Sequence, residues 1–174
     1  MSTRVVLFLL VLSVVGCTQS QVSAPPVEIK RMELNSVADV RAKTGVAFDP
    51  QTSSVGKGAL RVDATEPMIV PLFEVTDVSI ENATLIYQAS VQSENLDGKA
   101  FLEMWVRIPG KGEFFSRGLD RPVTGKMSWM TVATPFFLQA GQKPDLIRLN
   151  LVVQGKGRVW IDDIRLLRAP LPSR

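Results

Sequence analysis

The chain has 174 residues, with 20 Lys and Arg, 17 Asp and Glu, a net charge of +3, one cysteine and no histidine. Nearly balanced charges without a basic cluster argue against a nucleic-acid-binding surface. A chain without histidine lacks the commonest general base and metal ligand, and one cysteine cannot form an internal disulfide. The composition therefore disfavours Ser–His and Cys–His nucleophilic enzymes.

The first seventeen residues have the features of an export signal. The cationic start MSTR precedes the apolar run VVLFLLVLSVV, which is shorter than the roughly 20 residues that span a bilayer. The run ends in VVGC, which resembles the lipobox of bacterial lipoproteins. The resemblance implies that Cys17 is acylated and becomes the new N-terminus, and Thr18 after it implies delivery to the outer membrane. The alternative is an ordinary signal peptide with a chance cysteine.

The rest of the chain divides into a tether, one domain and a tail. Residues 18–27, TQSQVSAPPV, are rich in Ser, Gln and Pro and predict a flexible tether. Fully extended, it reaches at most about 35 Å, so the domain lies close to the membrane, its first predicted partner. Residues 28–168 contain no second linker and have the size of one domain. Residues 169–174 are expected to form a loose tail.

The domain is predicted to begin with a helix and to continue almost entirely as strands. The helix is expected over residues 35–45, for about two turns, with Asn35 or Ser36 as its cap and Gly45 at its end. Beyond it, apolar and polar residues alternate between turn-rich pieces. The candidate strands are 59–65, 68–75, 83–92, 100–109, 112–118, 128–137, 145–154 and 157–167. About eight strands without helical crossovers predict an antiparallel β-sandwich, most simply a jelly roll.

Three Gly-Lys-Gly triplets begin at residues 56, 110 and 155. Phosphate-binding loops place their glycines before a helix, whereas each of these triplets opens a predicted strand, so we interpret them as turns. The second triplet then predicts a hairpin between 100–109 and 113–118, and the third a hairpin between 146–153 and 158–167. The segment NLDGK predicts another hairpin, which joins 83–92 to 100–109.

The C-terminal pattern resembles a known group of domains. GKGRVWIDDIRLL, with LIRLNLVVQ before it and VGKGALRVDATEP upstream, is similar to carbohydrate-binding modules that have a galactose-binding-domain-like jelly-roll fold. In those modules an early strand G-x-x-S/A-L-x-V and a final strand G-x-V-W/Y-x-D-D-V/I-x-L recur. The resemblance runs from about Phe48 to Leu167. It implies the fold more strongly than a ligand, because plain accessory domains share this fold.

Alternation within the strands assigns a polar face to the sandwich. If the strands neighbour one another as in the related jelly rolls, seven side chains share one exposed, concave sheet: Gln88, Gln92, Glu103, Trp105, Arg107, Arg148 and Asn150. An aromatic ring stacks on a pyranose while amide, carboxylate and guanidinium groups bond its hydroxyls, so this set predicts a carbohydrate site. The alternative is a plain solvated face, with Trp105 tucked under the loop that carries Phe114 and Phe115.

Two adjacent carboxylates, Asp162 and Asp163, interrupt the last predicted strand. The apolar residues change parity there, from 159 and 161 to 164 and 166, so a regular strand would turn half of them away from the core. A one-residue bulge at Asp162 and Asp163 restores both pairs to the core and turns the carboxylates towards the sandwich edge.

The family resemblance implies a further role for this pair. In related modules a carboxylate at this position joins an acidic residue and backbone carbonyls to hold a structural calcium ion. Glu33 or Asp49 would then be the partner of Asp162 and Asp163. Calcium requires six to eight oxygen ligands, so the alternative is a bulge stabilised by backbone and arginine contacts. No other cofactor is predicted.

The leading hypothesis from the sequence is a lipid-anchored binding module of the cell envelope that recognises a glycan or a similar polar ligand. The alternative is a structural or protein-interaction lipoprotein without a small ligand. A hydrolase is the third hypothesis and would use Glu103 and Glu113, which flank a predicted hairpin. A glycosidase needs two carboxylates across a cleft, and no such constellation is evident, so no catalytic residue is assigned.

Overall fold

The computed structural model describes residues 24–172, so the predicted export signal, Cys17 and most of the predicted tether lie outside the described residues. Within this range the chain forms a single 3₁₀ turn and eight β-strands. The strands are β1 (Val27–Met32), β2 (Val46–Asp49), β3 (Ala59–Ala64), β4 (Met68–Thr76), β5 (Ala83–Ile108), β6 (Gly112–Arg117), β7 (Val123–Leu138) and β8 (Leu146–Ala169). No helix in the described range is long and apolar enough to cross a membrane.

Strands β5 and β8 form the spine of the fold. They run antiparallel and remain paired from Thr84 and Ala169 at one end to Arg107 and Leu146 at the other. Strands β1, β3 and β4 pair with β8, strands β6 and β7 pair with β5, and β2 extends the sheet from β3. Every pairing is antiparallel. The prediction of an all-β antiparallel sandwich is confirmed.

The continuous sheet folds into two layers around one core. Leu85 and Tyr87, from the first half of β5, belong to the same buried cluster as Leu102 and Met104, from its second half. Both halves must therefore face inward. The first layer contains β1, β2, β3, most of β7, the first half of β5 and the second half of β8. The second layer contains β4, β6 and the remaining halves. Each fully buried Leu or Met contributes about 1.5–3 kcal/mol to folding.

A pair of glycines allows the bend between the layers. Gly98 of β5 and Gly155 of β8 are register partners, with φ angles of 123° and 155°. A Cβ on Gly98 would lie 2.1 Å from the carbonyl oxygen of Gln154, and one on Gly155 would lie 1.9 Å from that of Asp97. The two backbones thus approach more closely at the bend than any side chain permits.

Two of the three predicted hairpins are wrong. Segments 83–92 and 100–109 are halves of β5, and segments 146–153 and 158–167 are halves of β8. Glycine at a positive φ permits a bend between layers as readily as a chain reversal, and here pairing along the whole β5–β8 ladder selects the bend. The remaining hairpin, predicted between 100–109 and 113–118, is confirmed, since β5 and β6 pair from Glu103 and Arg117 to Ile108 and Gly112.

The predicted two-turn helix is a single 3₁₀ turn, Val37–Asp39, which Ser36 caps in a capping box with Asp39. Beyond the turn, the N–H groups of Arg41 and Ala42 donate to carbonyl oxygens of β4. These tertiary hydrogen bonds replace the ones that a second helical turn would have made. Gly45 has a φ of 71° and precedes β2 rather than ending a helix.

Candidate functional site: the Trp105 face

The outer surface of the second layer carries a regular grid of side chains. Residues 102, 104, 106 and 108 of β5 are buried in the core, so residues 103, 105 and 107 point outward. Trp105 has Arg148 of β8 on one side and Phe115 of β6 on the other, and the rows before and after it align in the same way. We call this set the Trp105 face: Glu103, Trp105, Arg107, Glu113, Phe115, Arg117, Arg148 and Asn150.

Glu103 is the buried anchor of the Trp105 face, with 1% of its surface exposed. One carboxylate oxygen accepts hydrogen bonds from the Trp105 indole at 2.8 Å and the Asn150 amide at 3.1 Å. The other accepts one from Arg117 at 2.7 Å. Burial by itself would raise the pKa of Glu103, but the donors, Arg117 foremost, outweigh it and lower the pKa below its ordinary value. Glu103 therefore orients three side chains and is too buried to contact a ligand.

Trp105 and Phe115 form a two-ring apolar surface. Their ring centroids are 5.1 Å apart with the planes at 45°, and Phe115 is 52% exposed. The Arg148 guanidinium lies 5.9 Å from the Trp105 ring centroid and that of Arg117 lies 4.7 Å from the Phe115 centroid. Phe115 is a strand residue beside Trp105, not part of a loop above it. The arrangement offers aromatic surface flanked by guanidinium donors, the chemistry that binds a pyranose.

Each arginine of the Trp105 face is paired with a carboxylate. Arg117 pairs with Glu103, Arg148 with Glu113 and Arg107 with Asp145. The Arg148–Glu113 and Arg107–Asp145 pairs are exposed and contribute at most about 1 kcal/mol each, so they order the side chains more than they stabilise the fold. Among the described residues each guanidinium uses one N–H group in its pair. Further N–H donors on each arginine can therefore serve a ligand.

Five of the seven predicted ligand residues lie on the Trp105 face, and Gln88 and Gln92 do not. These two glutamines lie on the first half of β5, opposite Arg165 and Trp160 of β8. The predicted hairpin through NLDGK would have set 83–92 beside Trp105, whereas the continuous strand carries it into the first layer.

The sequence prediction omitted the contribution of β6. Glu113, Phe115 and Arg117 share one parity in GEFFSRG and lie on the Trp105 face, whereas Phe114 pairs with Val106 on the other parity. The signal was present, because the predicted hairpin already set this segment beside 100–109. Assigning faces to β6 as well as to its neighbour would have found these residues.

The bulge predicted in the last strand is present. Strand β8 has one extra residue between the pairs Ser90–Asp162 and Gln88–Arg165, and Asp163 has a left-handed φ of 49°. The apolar residues on both sides of the bulge are all buried: Val159, Ile161, Ile164 and Leu166. The extra residue therefore lets the apolar residues on both sides of the bulge point into the core, as predicted.

Asp162 holds the bulge to a neighbouring loop. It is 5% exposed, and one carboxylate oxygen accepts the backbone N–H groups of Ser54 and Val55, each at 2.9 Å. The other oxygen accepts the N–H of Asp163 at 2.7 Å. Three backbone donors satisfy this buried charge and attach the segment between β2 and β3 to β8.

Asp163 pairs with Arg31 of β1 and Arg165 of β8. Burial would raise the pKa of Asp163, but the two guanidinium groups, Arg165 first, outweigh it and lower the pKa. The pairing fastens β1 to the bulge.

Three of the four carboxylates considered for calcium already accept hydrogen bonds from other groups of the protein. Glu33 shares a cavity of about 220 Å³ with Asp162 and Asp163, but the oxygens of those two aspartates are already engaged by N–H and guanidinium groups. Asp49 accepts a hydrogen bond from the Trp160 indole at 2.9 Å. Residues 24–172 contain no group of three or more His, Cys, Asp or Glu that could hold a metal ion. The geometry fits the alternative, a bulge held by backbone and arginine contacts.

Comparison with known proteins supports the fold and no closer relationship. No family model and no curated protein matches the chain. The CBM22-1 xylan-binding domain from Paenibacillus barcinonensis Xyn10C is 14% identical with a TM-score of 0.57, over 86% of this chain and 100% of that chain. The CBM22-1 and GH10 modules of Clostridium thermocellum endo-1,4-β-D-xylanase 10B, complexed with xylohexaose, are 10% identical with a TM-score of 0.59, over 85% and 30%.

A Stig cyclase from Fischerella sp. TAU is also similar, at 16% identity and a TM-score of 0.53, over 81% of this chain and 82% of that chain. At such identities the likeness shows the fold alone. This chain has the β-sandwich of carbohydrate-binding modules, and that architecture also occurs in a cyclase.

Proposed function

We propose that this protein is a lipid-anchored carbohydrate-binding module of the bacterial cell envelope, delivered to the outer membrane. The VVGC sequence that ends the export signal supports the anchor on Cys17. The pair of rings formed by the half-buried Trp105 and the exposed Phe115, with Trp105 oriented by the buried Glu103, is the observation that carries the binding function. The similarity of the fold to xylan-binding modules agrees with it.

The preorganisation of the Trp105 face favours a binding role. The indole N–H of Trp105 already donates to Glu103, so the ring is held in one orientation before a ligand arrives. Immobilising a flexible side chain on binding costs about 0.5–1.5 kcal/mol, and this ring has less freedom to lose. The indole thus offers its face rather than its N–H, and hydroxyl recognition is left to Arg117, Arg148 and Asn150.

The proposed role includes no catalysis. Glu103 is ionised, buried and bonded to three donors, so it is unsuited to exchanging a proton with a substrate. Glu113, the other carboxylate of the face, pairs with Arg148. These two residues therefore do not form the pair of free carboxylates that a glycosidase places on either side of the bond it cleaves.

A glycan array with the intact protein tests the binding function. Trp105→Ala and Phe115→Ala should each lose most of the binding, because each removes half of the ring surface. Phe137→Ala is the matched control: Phe137 is 48% exposed, close to the 52% of Phe115, but lies on β7. The control should bind like the unaltered protein.

Two outcomes would contradict glycan binding at this face. Binding that survives both ring substitutions would place the site elsewhere. A folded protein that binds nothing on a broad array would favour the alternative, an envelope lipoprotein that engages a protein partner.

Fractionation of the producing bacterium tests the anchor. The unaltered chain should sediment with the outer membrane, and Cys17→Ala should prevent acylation and leave the protein out of the membrane fraction. Mass spectrometry of the N-terminal peptide provides the direct readout. A mature protein without acyl chains would mean that the segment is an ordinary signal peptide.

A further inference from the structure

Four strand ends meet at one end of the first layer. Strand β1 begins at Val27, which pairs with Arg168 near the end of β8. Thr84, near the start of β5, pairs with Ala169 of β8 on one side and with Phe137, near the end of β7, on the other. The described chain therefore both enters and leaves the sandwich at this end.

An apolar groove of about 570 Å³ opens at the same end. Most of its lining is apolar, and Asn82 and Arg168 are its polar residues. The full lining consists of Ala24, Pro25, Val27, Asn82, Arg168, Ala169, Pro170 and Leu171. Val27 is 66% exposed, the highest value among the large hydrophobic residues described. Clustered apolar surface of this kind marks an interaction site more often than an isolated exposed residue does.

The length of chain that precedes the groove identifies what the groove meets. Ala24 lines the groove, and Cys17 lies seven residues before it. Seven extended residues span at most about 25 Å, whereas the headgroup region of one leaflet is about 5–8 Å thick, so a lipid on Cys17 keeps Ala24 within about 20 Å of the membrane surface. This end of the sandwich is therefore the part of the described chain that such an anchor holds nearest to the membrane.

The charges at this end suit a lipid surface as well as the apolar residues do. Arg168 lines the groove, Lys30 is exposed on the adjoining strand β1, and the exposed Glu28 of the same strand is paired with Arg165. Arg and Lys side chains extend past apolar neighbours to place their charges among lipid headgroups. Apolar side chains that enter an interface by a few ångströms, surrounded by basic residues, are the features of interfacial binding.

We propose that the strand-end surface around Val27, Pro170 and Leu171 rests on the lipid headgroups, so that the domain is docked on the membrane. The inference rests on the proposed acylation of Cys17. The tether then acts as a short link between the anchor and a second, weaker contact, and the two together fix the orientation of the sandwich relative to the bilayer.

Single-cysteine labelling of the full acylated chain in liposomes tests the docking. Cys17 is the only cysteine and is blocked when acylated, so Val27→Cys introduces one reactive thiol for an environment-sensitive fluorophore. Its emission should shift to the blue and be quenched by lipids with nitroxide headgroups. Leu171→Cys, just beyond the end of β8 in the same groove, should respond in the same way.

Ile69→Cys is the matched control, because Ile69 is 56% exposed and lies on β4 of the second layer. Its label should keep its emission in water and resist quenching. If the protein floats with the liposomes but the labels at positions 27 and 171 behave like the one at 69, the docking inference is overturned and the anchor stands. If the protein does not float with the liposomes, the anchor itself is wrong and the docking falls with it.

Discussion

Asp162 and Glu103 are both almost fully buried carboxylates with three hydrogen-bond donors, yet they organise different parts of the molecule. The donors to Asp162 are backbone N–H groups of a bulge and a loop. The donors to Glu103 are the side chains of Trp105, Asn150 and Arg117 on an outward-facing sheet. A buried carboxylate that binds backbone donors fixes the path of the chain, whereas one that binds side-chain donors fixes the surface those side chains present.

Asp162→Asn should give the larger loss of stability. An amide offers one acceptor oxygen, and its NH₂ group would face at least one of the three backbone N–H groups at a position where the side chain is only 5% exposed. We expect the free energy of unfolding to fall by about 2–4 kcal/mol. Urea denaturation measures the free energy of unfolding. Glycan binding by the folded fraction should stay unchanged. A loss no larger than that of Glu103→Gln would contradict the architectural role of Asp162.

Glu103→Gln should affect binding more than stability. Arg117 loses its ionic partner, but its side chain is 39% exposed and can turn into water, so the expected loss of stability is about 1 kcal/mol. The rings and Asn150 lose their common anchor, so the affinity for glycan should fall by about tenfold, equivalent to 1.4 kcal/mol. Titration calorimetry beside urea denaturation separates the two effects. Unchanged affinity would show that Glu103 does not position the Trp105 face.

The pH dependence of stability should reflect two carboxylates that are paired with arginine, Glu103 and Asp163. The pKa values of Glu103 and Asp163 are lowered in the folded state, so their stabilisation is complete above their ordinary values of 4.5 and 3.8 and is lost as the pH falls through the folded-state pKa values. Unfolding free energy should be flat from about pH 6 to 8, because no histidine titrates there, and should fall below about pH 4.5.

Denaturation curves at several pH values check this, with Glu103→Gln as the comparison. The acid-induced loss should be smaller in that variant because it lacks one of the titrating groups. Equal pH profiles for the variant and the unaltered protein would contradict the lowered pKa of Glu103.

Chelation should have the smallest effect. Backbone and guanidinium donors satisfy Asp162 and Asp163, so EDTA should leave the melting temperature unchanged. Differential scanning calorimetry with and without added calcium measures this. A melting temperature that rises with calcium would restore the structural calcium site that the family resemblance implies.

Much of the local architecture could be predicted from the sequence, because period-two alternation is a local property. The buried residues of the long strands were identified by parity alone, including 102, 104 and 106 of β5 and 147, 149 and 151 of β8. The bulge at Asp162 followed from the same rule, since an unbroken strand would have turned apolar residues outward. Strand β1 was missed because only Met32 of its six residues is buried, so backbone pairing with β8 leaves no apolar pattern.

The sequence by itself determined the all-β class, the inward and outward faces of the long strands and the bulge, and it predicts an export signal with a lipobox-like end. Only the tertiary structure decided which outward faces share a surface. The glycine-containing segments 95–99 and 154–157 permit both a reversal and a bend, and their local chemistry does not distinguish the two. Long-range pairing between β5 and β8 around one core selected the bend, which sent Gln88 and Gln92 to the first layer and left Trp105 beside Phe115.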